Sequence, residues 1–298
     1  MNEQNRNGLG QNESLLKFIY PVAIMGCVQI LVQLFAGQLL FFYKGYTYSS
    51  GSYDDFMNGY QTSLASDKFT LLVSVVSTFI LVIVFLLWYR KEIIHAANVS
   101  LRNKIKIIGQ LNWKIIPGVI LISLGVGVFA TYISYFVALI KPDLLSGYVD
   151  IVSVISSGES GIMNAILLIY FVVLSPVCQE LVFRGLTLGF AERRMNFMAA
   201  NLMQAILCGV FTMNVTQMIY YFLFGLILGY VYYRTENIII PIICNMLFSV
   251  TRLVFYDVSI IGSSLVAFYL IFFMAMACAY LGVVLVKKSK KIKTNDNA

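Results

Sequence analysis

The chain has 298 residues, of which 59% are hydrophobic and only 12% charged, and its mean hydropathy is +0.82. A soluble domain carries about 25% charged residues, so this composition excludes a soluble fold and predicts a polytopic membrane protein. The net charge of +7 does not point to nucleic acid, because Lys and Arg cluster between apolar segments, where anionic lipid is the nearer partner.

The first 14 residues form a polar tail. The apolar run after them is too long for a signal-peptide core and predicts a retained membrane helix. Crossing the hydrocarbon core takes roughly 20 apolar residues. Windows of this kind fall near 15–42, 69–89, 115–140, 162–178, 197–214, 216–233, 238–255 and 259–286. The expected fold is therefore all-α, a bundle of about eight membrane helices. Residues 15–286 form one membrane domain, the fourth segment continues as a helix past Arg184, and residues 287–298 form a basic tail.

Charge in the connections predicts the orientation. The second connection carries Arg90, Lys91, Arg102, Lys104, Lys106 and Lys114; the fourth carries Arg193 and Arg194. The first holds Asp54, Asp55 and Asp67, and the third Asp143, Asp150 and Glu159. Basic and acidic connections alternate, which predicts a multi-pass protein of the cell membrane with both termini cytoplasmic. Within the second connection, Leu101–Trp113 mixes apolar residues with Lys104 and Lys106, the pattern of a basic interfacial helix or of a solvated loop.

Few residues here can carry chemistry. The five Cys, at 27, 178, 208, 244 and 278, all sit in apolar stretches without zinc-site or disulfide-framework spacing, and read as buried free thiols. Cys178, Cys208 and Cys244 leave a thiol cluster conceivable, but the donors a zinc site needs are missing, so no metal or cofactor is expected. Gln29 and Gln33 give the first span a polar edge for interhelical hydrogen bonding or substrate contact. Gly225 and Gly229 form a small-xxx-small pair that predicts a close helix contact. Glu180 and Arg184, four residues apart on one helical face, place an ionisable pair at membrane depth, which marks a functional site by default.

That pair belongs to Gln179-Glu180-Leu181-Val182-Phe183-Arg184-Gly185, the first of four elements in fixed order. The others are Cys208-Gly209-Val210-Phe211-Thr212-Met213-Asn214 followed by Gln217, Phe224-Gly225-Leu226-Ile227-Leu228-Gly229-Tyr230 running into Tyr233-Arg234-Thr235-Glu236-Asn237, and Pro241-Ile242-Ile243-Cys244-Asn245-Met246-Leu247-Phe248-Ser249. Together they resemble the CPBP family, the CAAX-protease and bacteriocin-processing membrane endopeptidases, over about a third of the chain, in a core near 162–255. The resemblance implies peptide cleavage at the membrane. Paired Glu residues and a His would activate water, and a later His and Asn would stabilise the oxyanion.

At the matching positions this chain carries Gln179 for the first Glu, Thr212 for the first His, Asn245 for the second His and Ser249 for the Asn; Glu180 and Arg184 match the family's residues. The single His, His95, lies in the second connection. The pattern predicts a degenerate member with no intact catalytic set, which binds a peptide or a partner membrane protein in bacteriocin self-immunity or in control of a transporter or sensor. Glu180 and Arg184 read either as the polar floor of a peptide-binding cavity or as a self-neutralising pair that fixes helix packing. Two other readings stay open: an active endopeptidase using Glu180 as sole base, with Asn245, Thr212 or Ser249 as oxyanion donors, and a transporter subunit.

Overall fold

A computed structural model describes residues 16–48, 52–95, 115–141, 161–255 and 264–288, and these are helical throughout apart from short turns. The Leu101–Trp113 segment, Asp143, Asp150, Glu159, the polar N-terminal tail and residues 289–298 lie outside the described residues, while Lys287 and Lys288, expected in the basic tail, end the last helix.

A short 3₁₀ turn, Lys17–Ile19, leads into α1 (Tyr20–Thr47). Pro21 sits in the first turn of α1, where its missing N–H costs no hydrogen bond. Next come α2 (Tyr53–Leu64) and α3 (Asp67–Tyr89), and α3 runs on through a π-helical turn, Arg90–His95. Then follow α4 (Ile116–Ile140), α5 (Gly161–Ala191), α6 (Phe197–Val210), α7 (Val215–Thr235), α8 (Ile239–Val254) and α9 (Leu265–Lys288).

Among the described residues, six helices are long and apolar enough to cross a membrane, namely α1, α3, α4, α5, α7 and α9. The other two apolar helices, α6 and α8, are shorter than their sequence windows suggested. Helix α2 was not expected. It lies in the acidic first connection, and its start is written in Ser52, whose hydroxyl accepts from the Asp54 N–H (3.4 Å), while the Asp55 carboxylate accepts from the Ser52 N–H (3.2 Å). That reciprocal box satisfies two of the N–H groups a helix start leaves without partners.

The two largest apolar clusters divide the bundle. One joins α1, α3, α5 and α6 through Met25, Leu81, Phe85, Val182, Phe183, Leu186 and Ala200. The other joins α4, α7, α8 and α9 through Ile122, Val126, Phe224, Leu228, Cys244, Phe248 and Val286. The tightest seam, α4 on α9, lies wholly on the second side. There Gly118, Gly125 and Gly282 let backbones touch: a Cβ on Gly125 would stand 2.5 Å from the Ala275 carbonyl oxygen. Where the two halves meet, α5 faces α7 and α8, and the polar residues collect.

Candidate functional site

Helix α5 is irregular where it matters. Pro176 has no N–H, and its ring would crowd the carbonyl of Val172 in a regular α-helix. Just before it the helix widens to π geometry over Tyr170–Leu174, with the Ser175 N–H donating to the Tyr170 carbonyl. A second π stretch covers Leu181–Leu188. Single π turns of this kind concentrate at functional sites. Between the two stretches, Ser175–Glu180 is ordinary α-helix and presents Gln179 and Glu180 on adjacent faces.

Glu180 and Arg184 are fully buried, at 0% and 1% exposure. Arg184 Nη1 donates to Glu180 Oε1 at 2.9 Å, and Nη2 donates to the Gly225 carbonyl on α7 at 3.3 Å. From α8, Asn245 Nδ2 donates to the same Glu180 oxygen at 2.7 Å and to Gln179 Oε1 at 3.1 Å. The Gln179 amide nitrogen in turn donates to Ser175 Oγ at 3.3 Å. Glu180 is thus bonded by a guanidinium and an amide at once, and the pair ties α5 to α7 and α8.

Helix α6 adds two buried amides that sequence reasoning missed. Gln204 Nε2 donates to the Gly225 carbonyl (2.9 Å) and to Asn201 Oδ1 (2.8 Å), and Asn201 Nδ2 donates to the Leu226 carbonyl (3.1 Å). Gly225 and Gly229 make this possible, because a Cβ at Gly229 would fall on the Asn201 side-chain oxygen. The small-xxx-small pair is therefore a close contact with α6, as its spacing implied. Two amides at i and i+3 on an otherwise apolar helix were the overlooked signal.

In front of this network lie two adjoining cavities. The inner one, about 240 Å³, is lined by Gln29, Thr78, Ser175, Cys178, Gln179, Cys208, Thr212, Gln217 and Tyr221, among others. The outer one, about 210 Å³, shares Ser175, Gln179 and Gln217 and extends to Tyr220, Phe248 and Arg252. The inner one is bounded by the end of α6, which is short. Its 14 residues span ~21 Å at 1.5 Å each, less than the ~30 Å hydrocarbon core, so the turn to α7 falls within membrane depth. Irregular backbone is tolerated there only where protein or a polar cavity surrounds it. Thr212 serves that end, its hydroxyl meeting the Gly209 carbonyl at 2.7 Å and the Asn214 carbonyl at 3.2 Å. Asn214 caps α7 by accepting from the Gln217 N–H at 3.1 Å.

The structure thus links Gln179, Glu180, Arg184 and Asn245 directly. It sets Thr212 in the wall of the chamber that Gln179 also lines, and it leaves Ser249 buried one helical turn past Asn245, lining neither chamber. Glu180 and Arg184 sit behind the chambers rather than in their walls. Cys178 and Cys208 line the inner chamber as free thiols, while Cys244 is spent on α4, 3.2 Å from Ser123 Oγ. Contrary to the sequence reading, Cys27 is exposed on the outside of α1. Among the described residues, the polar groups facing the chambers are amides, hydroxyls, two thiols and the guanidinium of Arg252, which can bind and orient a polar ligand.

Residues 161–251 match the family model described as type II CAAX prenyl endopeptidase Rce1-like. Over 133 residues the chain is 22% identical to a Bacillus subtilis (strain 168) protein described as "Putative membrane peptidase YdiL", covering 42% of this chain and 54% of that one. The chain therefore spans about half the length of this curated relative. No solved structure matches it.

Proposed function

We propose, for a chain that belongs to the CPBP family of CAAX-protease-like membrane proteins, a non-catalytic role in which the two chambers bind a peptide or a segment of a partner membrane protein. One observation carries this reading. The only carboxylate among the family positions, Glu180, is enclosed behind the chamber wall, with one oxygen taken by both Arg184 and Asn245. A general base must reach the proton it abstracts, within about 2.6–3.2 Å or through one water. The residue that does line the chamber at the base position is Gln179, an amide that takes up no proton near neutral pH.

Purified protein is expected not to cleave membrane peptides. Because Glu180→Gln alone would strand the Arg184 charge, the informative variant is Glu180→Gln with Arg184→Gln, which should keep the cellular phenotype wherever it keeps the fold. Peptide turnover that disappears in this double variant, with folding intact, would establish an endopeptidase instead. The match to endopeptidase families favours that second reading.

The same proposal extends to the cell. The alternation of basic and acidic connections supports a place in the cell membrane with both termini cytoplasmic. A Cys at position 289 should react only with reagents that reach the cytoplasm, and labelling from outside would reverse the orientation. The resemblance to bacteriocin-processing proteins supports self-immunity as one use, and regulation of a transporter or sensor as another. A neighbouring gene for a bacteriocin, a transporter or a sensor would separate them.

A further inference from the structure

The wall of the inner chamber continues between α1 and α3 into a third cavity of about 360 Å³, bounded by Gln29, Gln33, Ser74, Ser77 and the α6–α7 tip at Phe211 and Met213. Gln29 and Phe211 line both cavities, so the slot leads from the α1–α3 face toward Gln179. Counted from Tyr20, Gln29 and Gln33 lie ~14 Å and ~20 Å along α1, well inside the bilayer. Interhelical bonding, the simpler expectation for these amides, does not occur: among the described residues, neither makes a side-chain hydrogen bond. Opposite them, Ser74 and Ser77 on α3 donate within their own helix, to the Thr70 carbonyl (2.8 Å) and the Ser74 carbonyl (3.1 Å).

Amides left without partners at membrane depth are costly, and their chemistry narrows the ligand they face. We propose that this slot is a lateral seat for an extended peptide segment taken from the bilayer, whose backbone pairs with Gln29 and Gln33. A primary amide both donates and accepts, which is the complement of a peptide group. Among the described residues, no ionisable side chain lines the slot, so it offers no charge to an ionic headgroup, and an acyl chain would leave both amides unmet. A transmembrane helix satisfies its own backbone internally and would also leave them unmet. An extended strand in lipid is the backbone form that needs such partners. The spacing agrees: residues four apart on α1 rise ~6.0 Å, and alternate residues of an extended strand repeat at ~6.6 Å.

The inference rests on the peptide-binding reading and adds to it the conformation and route of the ligand. Gln29 and Gln33 lie outside the family-matched residues 161–251, so the family match does not imply this slot.

The test uses the full chain in phosphatidylcholine nanodiscs, with protein-free nanodiscs as background. Fluorescence anisotropy would follow a pool of labelled heptapeptides randomised over Val, Ile, Thr and Phe, and a matched pool N-methylated at alternate backbone nitrogens. The unmethylated pool should bind saturably. N-methylation, and separately Gln29→Leu with Gln33→Leu, should each weaken binding by ~10-fold, as expected for two lost hydrogen bonds. Phe35→Ala, at an exposed position on α1 that does not line the slot, should change nothing. The methylated ligand needs no variant to fold, so it decides the matter even if the Leu pair destabilises the protein. Saturable binding indifferent to methylation and to the Leu pair would overturn the slot and leave the peptide-binding reading standing. Absence of saturable binding to the wild type would overturn both.

Discussion

The two sides of this bundle hold together by different means. Between α4 and α9 the contact is backbone on backbone: a Cβ on Gly282 would stand 2.7 Å from the Gly118 carbonyl and from Ile122 Cγ1. Between α5, α6, α7 and α8 the contact is a chain of side-chain amides and one buried ion pair. Lipid tails are as apolar as Leu, so helices in a bilayer associate through close packing or through hydrogen bonds, with little hydrophobic drive between them. The first means leaves no room between helices. The second leaves room where α5 faces α7 and α8, and the chambers sit there, although α6 and α7 also approach closely at Gly209 and Gly225. The comparison teaches where a membrane protein can afford to be hollow.

The largest effect should come from breaking the close-packed seam. Gly125→Leu would drive a side chain into the Ala275 carbonyl and the Ala279 N–H, both 2.5 Å from its Cβ position. Backbone cannot give way as a flexible side chain can, so the cost should exceed both the ~1–3 kcal/mol usual for overpacking and the ~3–5 kcal/mol of a stranded buried charge. Loss of the monodisperse peak on size exclusion, or a marked fall in the midpoint of thermal unfolding, is the expected result. An unchanged midpoint would mean that α4 and α9 are not in backbone contact.

Next in size is the polar seam. Removing one partner of a buried ion pair strands the other charge, at a cost of about 3–5 kcal/mol, whereas replacing both by apolar residues is often neutral. Arg184→Leu should therefore destabilise strongly, and Glu180→Leu added to it should recover much of the loss. Denaturant unfolding of the single and double variants would measure the coupling. A double variant no more stable than Arg184→Leu would show that the pair does not neutralise itself. Asn245→Ala comes below that. It removes the shared donor to Gln179 and Glu180 but leaves Arg184 in place, for about 1–3 kcal/mol.

The polar side was more legible in the sequence than the close-packed side, where nothing singled out Gly118, Gly125 or Gly282. Long apolar windows and basic connections placed most of the spans, and the ordered elements around Glu180, Thr212, Gly225 and Asn245 located the seam. What stayed hidden depends on lengths and faces that windows do not encode. Residues 197–214 are apolar nearly throughout, so nothing marked the end of α6 at Val210 or the turn that borders the inner chamber. Gln179 and Glu180 are sequence neighbours, yet one lines a chamber and the other is sealed behind it. Neighbouring helical residues point in different directions, and the π turns shift the faces further. Asn201 and Gln204 were passed over because their apolar surroundings outweighed them.

The smallest effect should come from a buried hydroxyl on the glycine-rich helix α4, and it tests whether hydrogen bonding as such or the lack of alternatives makes the other seam matter. Ser123 Oγ on α4 lies 2.8 Å from the Cys244 carbonyl on α8 and 2.9 Å from the Val119 carbonyl of its own helix. Ser123→Ala removes a donor that both carbonyls can spare, since each lies inside an α-helix and can still accept the backbone bond of its own turn. No buried donor is left unpaired, which is the part of a lost hydrogen bond that costs most. The change should fall below about 1 kcal/mol, well under Asn245→Ala, although both deletions take a buried polar group that bridges to a neighbouring helix. Unfolding midpoints for the two variants side by side would decide it. Equal losses would mean that the count of interhelical bonds sets stability on both sides, and the distinction between the seams would fall with that result.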